Sequence, residues 1–264
     1  QGRFYHAFGN TFCVTAASSY QITEALHDDT AAQHIGETGD AFAVAVTVLE
    51  GFGEMLGEID SEIIKKPETK LDPNVNKVTV DGKDISYQEY VYIIMNKPKG
   101  YISASNDKNA ETVVDLVPKE MKRKNLFPAG RLDKDTTGML IITDDGDFAH
   151  RMLSPKKHVE KVYKATLDGE VTDEMVENFR KGISFYDGTL CLSAKLLPNK
   201  GNPHIARVII REGKYHQVKK MFLTQGLTVK DLHREQIGML KLPKDLAPGE
   251  CRFMQEDEKR NIFL

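Results

Sequence analysis

Residues 130–145 read GRLDKDTTGMLIITDD. A polar loop lies between Gly130 and Gly138, and an apolar run follows at once. That run is too short for a typical helix and reads as a buried strand. A glycine-flanked polar turn feeding a buried strand places its side chains at a sheet edge or in a cleft. The fold and the chemistry therefore turn on the same sixteen residues.

Working outward, YVYIIMN is a strand ending at KPKG, and ETVVDLVPKEM is a short helix or turn. GDFAHRMLS is a helix with Phe148, Met152 and Leu153 on one face. TDEMVENFRKG opens on the capping types Thr172 and Asp173 and stops at Gly182. KVYKATLDG, TLCLSAKLL and HIARVIIREG are strands. KYHQVKKMFLTQG is a helix with Val218, Met221 and Phe222 inward and Gly226 at its end, and GECRFM is a closing strand. Strands follow one another without regular βαβ alternation. The expected class is α+β, with a mainly antiparallel mixed sheet, flanking helices and a small N-terminal module.

Within the opening stretch, Arg131 precedes Asp133 by two residues, so an extended backbone would project both to one side. A cation beside a carboxylate favours its ionised form. A positioned carboxylate can serve as nucleophile or electrostatic stabiliser. A solvated loop with caps from Asp135 and Thr136 has the same spacing. An acid–base pair of Asp133 and Asp135 across a sugar needs a separation that the sequence does not fix. TDDGD (143–147) lacks the ligand spacing of a calcium loop and reads as a turn into a helix.

Two more stretches carry chemistry. In EGKYHQVKKMF, Lys214, His216, Lys219 and Lys220 surround Tyr215 and Gln217, a mixture suited to phosphate contact and base stacking or to a wet helix face. NKPKGY brings Lys97, Lys99 and Tyr101 to a strand end, for phosphate binding or a plain turn. His150, His158, His204, His216 and His233 share no ligand spacing, so no metal is expected. No P-loop, dinucleotide fingerprint or nucleophile elbow occurs.

The chain has 264 residues, 40% apolar and 28% charged, with a formal net charge of −3. No apolar run approaches the length of a membrane span, and no signal peptide is expected. Cys13, Cys191 and Cys251 fit free, partly buried thiols in a reducing cytoplasm. Residues 1–60 hold nine acids against Arg3 alone, a net of −8, and the remainder is net basic at +5. The basic part is where a polyanion would bind. At SEIIKKPETKLDPNVNKVTVDGKDI lysine appears abruptly, and KVTVDG alternates into an Asp-Gly turn signal. The expected segments are 1–60, acidic and of unassigned role; 61–86, short strands of a small basic module; and 87–264, a larger mixed α and β domain. No coiled coil or apolar docking stripe is visible, so a monomer is expected.

The ordered set NKPKG, GRLDKDTTGMLIITDDGDFAHRMLSP with EKVYKATL, and EGKYHQVKKMF resembles the RsuA-type pseudouridine synthases, from about Tyr92 to Phe253. AGRLD-x-DTTG, TDDG…HR…SP, EKVY and LHREQIGMLKLPKDLAPGECR resemble the small-subunit branch. The resemblance implies the pseudouridine synthase fold. It implies isomerisation of a uridine in 16S ribosomal RNA, at position 516, without metal or organic cofactor. The same chemistry on 23S RNA and a non-catalytic RNA-binding or ribosome-assembly protein are the alternatives. Asp133 matches the catalytic aspartate, Tyr163 the active-site tyrosine and Lys219 the basic partner of the aspartate. Arg131 matches the arginine that supports the loop and the displaced base, and Asp135 a supporting position. The RNA-binding set is Lys97, Lys99, Tyr101, Lys161, Lys214, His216, Gln217, Lys220 and Arg234. Gly130 and Gly138 are expected to give the loop room against RNA. Members of the family usually begin with a Lys- and Arg-rich RNA-binding module, so the resemblance implies that 61–86 is the remnant or tail of that module and 87–264 the catalytic domain. Residues 1–60 stand in its place, so an altered N-terminus joined near Asp60 or Ser61 is expected.

Overall fold

The computed structural model divides the chain into two compact units, Gln1–Glu89 and Tyr90–Leu264. It describes residues 90–264 throughout and, before them, Asp60 and a set of short strands. In the first unit, Phe4–Phe8, Thr11–Thr15, Phe42–Ala45 and Thr69–Leu71 form one sheet. Glu62–Ile63, Gly57–Ile59, Val78–Val80 and Lys83–Ile85 form another. Val78–Val80 and Lys83–Ile85 pair antiparallel, as the Asp-Gly signal between them predicts. Strand pairing crosses the compositional boundary near residue 60. Gly57–Ile59 pairs with both Glu62–Ile63 and Val78–Val80, and Phe42–Ala45 pairs with Thr69–Leu71. The other expectations for residues 1–89 lie outside the described residues.

The second unit is built on one mixed sheet. Its strands are β1 (Tyr92–Lys97), β2 (Phe127–Ala129), β3 (Thr137–Thr143), β4 (Lys161–Leu167), β5 (Lys195–Pro198), β6 (Ile205–Ile210), β7 (Val229–Ile237), β8 (Leu240–Lys241) and β9 (Cys251–Phe253). The spatial order is β5-β6-β4-β7-β3-β1-β9, with β2 on β3 and β8 on β7. All pairings are antiparallel except β3 with β7, where Thr137 meets His233 and Gly138 meets Arg234. The α+β reading holds.

β3 is buried on both faces, which explains its unbroken apolar run. Leu140 and Ile142 join Ile93 and Met95 in one core cluster, while Met139 and Ile141 join Ile94 in the other. Successive residues supply opposite faces, as the strand period of two requires. Helix α1 (Gly146–Leu153) covers the second cluster with Phe148, Ala149 and Met152, its N-terminus capped by the Asp145 carboxylate. Helix α2 (Asp173–Lys181), capped by Thr172 and ended at Gly182, buries Phe179 against Phe222, with ring centroids 5.1 Å apart. Helix α3 (Gln217–Leu223) turns Val218, Met221 and Phe222 into the first cluster. Among the described residues no helix is long and apolar enough to cross a membrane.

Several local readings are corrected. Leu153 is exposed, not on the buried face of α1, and its side chain lies over Gly130. The helix expected from Lys214 starts only at Gln217, because His216 adopts a left-handed backbone (φ 53°). Of TLCLSAKLL only its end becomes strand, from Lys195. β9 does not close the chain. Helix α4 (Glu256–Asn261) follows it, with a capping box between Gln255 and Glu258. The longest strand, β7, escaped the sequence reading because its charged residues Asp231, Arg234 and Glu235 break the apolar signature of a buried strand. The described cysteines fit the expectation of free thiols: Cys191 is buried and Cys251 half-buried, and burial pushes both thiols up to about 11.

Candidate active site

The loop 130–136 joins β2 to β3, and it is held from behind by backbone contacts. Gly100 donates its N–H to the Lys134 carbonyl (2.9 Å). Ser103 Oγ donates to the Leu132 carbonyl (2.8 Å) and accepts from the Leu132 N–H (3.0 Å). Lys97, at the end of β1, is wholly buried. Its ammonium donates to the carbonyls of Pro98 (3.0 Å), Lys134 (3.3 Å) and Thr136 (2.9 Å). Burial pushes its pKa down to about 8, against the pull of Asp135 and Asp133.

Arg234 of β7 ties both ends of the loop to Tyr163 of β4. It is 2% exposed. Its guanidinium donates to the carbonyls of Met139 (2.7 Å) and Gly130 (3.0 Å) and to the Tyr163 hydroxyl (3.2 Å). A planar five-donor fork suits three acceptors in fixed directions. Gly138 makes this approach possible. It has φ +100°, and a Cβ there would lie 2.4 Å from the Arg234 carbonyl oxygen. A Cβ at Gly130 would meet Leu153 at 3.0 Å. The two glycines therefore make room for β7 and for Leu153, which corrects the expectation that they clear space for RNA.

The front of the loop meets the start of α3. Lys219 Nζ lies 3.0 Å from Asp133 Oδ2 and 2.6 Å from Asp135 Oδ1. His216 Nε2 lies 3.4 Å from Asp133 Oδ1. The Asp133 side chain is mostly buried, while that of Asp135 is 71% exposed. The hydrogen bond from Lys219 holds the Asp135 carboxyl below its usual range. Partial burial pulls the Lys219 ammonium downward, but its bonds to Asp135 and Asp133 outweigh burial and leave its pKa raised. The arrangement is an anion held between two cationic or potentially cationic groups on a rigid loop. It can present Asp133 to a substrate in one orientation.

The expected pairing of Lys219 with Asp133 is formed. The expected pairing of Arg131 with Asp133 is not. Arg131 is exposed and makes no hydrogen bond or ion pair among the described residues, while the Asp133 carboxylate faces Lys219 and His216 instead. Four residues of the expected RNA-binding set are interior. Lys97 and Arg234 hold the loop as described. Lys161 donates to the carbonyls of Met152 (3.3 Å) and Val159 (3.1 Å), and burial pushes its pKa down to about 8. Gln217 donates to Glu212 Oε1 (2.9 Å) and accepts from the Lys214 N–H (2.9 Å). Their polar groups are engaged inside the protein, so as phosphate contacts these four are corrected. Lys99 is exposed and paired with Asp231 (2.6 Å), and Lys214 is paired with Glu212 (2.9 Å). Lys220 lies 3.5 Å from Asp187, and Tyr101 packs half-buried against the first core cluster. Sequence reasoning missed Ser103 altogether. It also missed the loop-holding roles of Lys97 and Arg234, for which the one available signal was a charged residue inside or ending a strand.

A family model described as RNA pseudouridylate synthase matches residues 91–224. A protein of Bacillus subtilis (strain 168), named an uncharacterized RNA pseudouridine synthase YtzG, is 42% identical over 202 residues, 76% of this chain and 84% of its own. Ribosomal small subunit pseudouridine synthase A of Escherichia coli (strain K12) is 40% identical over 77% of this chain and 87% of its own. A solved crystal structure of a pseudouridylate synthase aligns with a TM-score of 0.62 at 32% identity, covering 78% of this chain and 88% of that one.

Proposed function

The chain belongs to the RNA pseudouridylate synthase family, and on that premise we propose that it isomerises a uridine of small-subunit ribosomal RNA, at position 516 of the 16S molecule, with Asp133 acting at the sugar–base bond. The observation that carries the reading is the placement of Asp133. It sits on a loop fixed from behind by Lys97, Ser103 and Arg234, with Lys219 at 3.0 Å in front.

The reaction breaks the bond from the ribose carbon to N1 of uracil, turns the base, and forms a bond from the same carbon to C5. The proton on C5 leaves and N1 gains one, so there is no net oxidation and no group is transferred away. A carboxylate flanked by Lys219 and His216 supports this chemistry at the sugar–base bond. The Tyr163 hydroxyl, held by Arg234, supplies a proton-transfer group for the step at C5. The target base must leave its stack to reach the carboxylate. The exposed Lys99 and the half-buried Lys214 and Lys220 suit the flanking phosphates. The protein acts in the cytoplasm as a monomer.

Mapping pseudouridine in ribosomal RNA from cells with and without the gene tests the assignment. The expected result is loss of one pseudouridine, at position 516 of 16S RNA. Loss from 23S RNA, or no loss from either, would refute the substrate.

A further inference from the structure

Tyr215 is 74% exposed, an unusual position for so large a ring beside a candidate active site. Its hydroxyl makes no hydrogen bond among the described residues. The ring is nevertheless held in place. It stacks on the His216 imidazole with centroids 3.8 Å apart and planes 20° apart. His216 in turn contacts Asp133 at 3.4 Å and has the left-handed backbone that turns the chain into α3. The Lys220 ammonium sits 5.5 Å from the centre of the Tyr215 ring and 5.2 Å from that of Phe185, and is anchored by Asp187 at 3.5 Å. An aromatic surface is thus held in fixed register with the carboxylate, with the Lys220 ammonium over the ring at a distance longer than a stacking contact.

We propose that the Tyr215–His216 pair is a stacking platform for an unpaired nucleobase next to the target uridine. The proposal rests on the RNA substrate argued above. A base drawn out of its stack to reach Asp133 leaves a neighbour without a partner. An aromatic ring beside the carboxylate can replace the lost stacking. Stacking tolerates any base, because every base has a π-face, so the platform contributes affinity and register rather than sequence choice. Lys220 favours the phosphate of the same nucleotide.

The chain contains no tryptophan, so Tyr215→Trp creates a fluorophore that reports on this position alone. The exposed site accommodates the larger ring, and an unchanged melting temperature confirms the fold. The probes are an oligouridylate and a ribose-phosphate oligomer of the same length without bases. The oligouridylate is expected to quench the emission and the baseless oligomer to leave it unchanged, at concentrations where anisotropy shows both bound. Equal response to both, or none to the oligouridylate at saturation, would overturn the platform. This arm needs no knowledge of the target site, so it stands apart from the 16S assignment. In turnover, Tyr215→Ala is expected to raise KM for the RNA about 5- to 150-fold and Tyr215→Phe to restore it to within about twofold. A Tyr215→Ala enzyme with wild-type KM that still makes pseudouridine would overturn the platform and leave the assigned reaction intact.

Discussion

The two sides of the 130–136 loop are held by different chemistry. Behind it, the buried cations Lys97 and Arg234 grip mainly neutral backbone carbonyls, with Ser103 beside them. In front, half-buried Lys219 and His216 face the side-chain carboxylates of Asp133 and Asp135. The contacts behind fix where the loop is, while those in front place cationic or potentially cationic groups against the carboxylates it carries. Changes behind should therefore act through geometry and stability, reaching the chemistry only where they displace Tyr163 or the loop, and changes in front should act on the chemistry directly.

The largest expected effect, after loss of the aspartate itself, is in front. Lys219→Met is expected to lower kcat by about 10²–10³-fold, with Lys219→Arg within about tenfold of wild type. Single-turnover rates check this, and an unaltered rate in Lys219→Met would show that the cation in front of the loop plays no part in the chemistry. Next comes the Arg234 fork. Arg234→Met releases Gly130, Met139 and the Tyr163 hydroxyl together, and kcat is expected to fall about 10²-fold. KM should move by less than about threefold, because Tyr163 and the Asp133 loop are displaced at the chemical step rather than at the RNA surface. A KM change with kcat intact would place Arg234 in RNA binding after all.

Lys97→Met should act on stability, by about 1–3 kcal/mol, through the carbonyls it leaves without a donor. The pH dependence sharpens this. The Lys97 pKa of about 8 lies below its unfolded value of 10.5, so the unfolded chain binds more protons between the two. The burial penalty is fully present below about 8 and fades as pH rises towards 10.5. Denaturant melts of wild type and Lys97→Met at pH 7 and pH 10 should show a gap that widens with pH. A constant gap would contradict the burial argument.

Asp135→Asn should have the smallest effect, under about 1 kcal/mol in stability, because its carboxylate is well exposed. Its lowered pKa means that its contribution persists above the usual carboxylate range and is lost as pH falls through the lowered value. Lys219, with a raised pKa, loses its contribution only as pH rises past the ordinary lysine range. Thermal melts across pH 4–10 should therefore show no step from this pair.

Much of this was legible in the sequence. The unbroken apolar run Met139–Ile142 announced a strand buried on both faces, and cap and stop residues marked α2. Lys219 could be matched to Asp133 from the ordered motifs, although 86 residues separate them. What could not be read is which side of a backbone a polar residue faces. Lys97 and Lys99 sit two residues apart at one strand end, yet one is sealed inside and the other is exposed. Arg234 looked like a surface cation because burying a guanidinium needs three acceptors supplied by β2, β3 and β4 or the loop beside them. Only tertiary pairing brings those together. Spacing puts Arg131 within reach of Asp133, but the carboxylate is taken by Lys219 and His216, brought in from a distant helix start that spacing does not reveal.

Whether Asp133 carries the reaction is decided by pseudouridine formation in a small-subunit RNA transcript by purified wild type and Asp133→Asn, with RNA affinity measured in parallel. Conversion by wild type is expected, with a loss of about three orders of magnitude or more in the variant and affinity within a few-fold of wild type. Full conversion by Asp133→Asn would contradict that role.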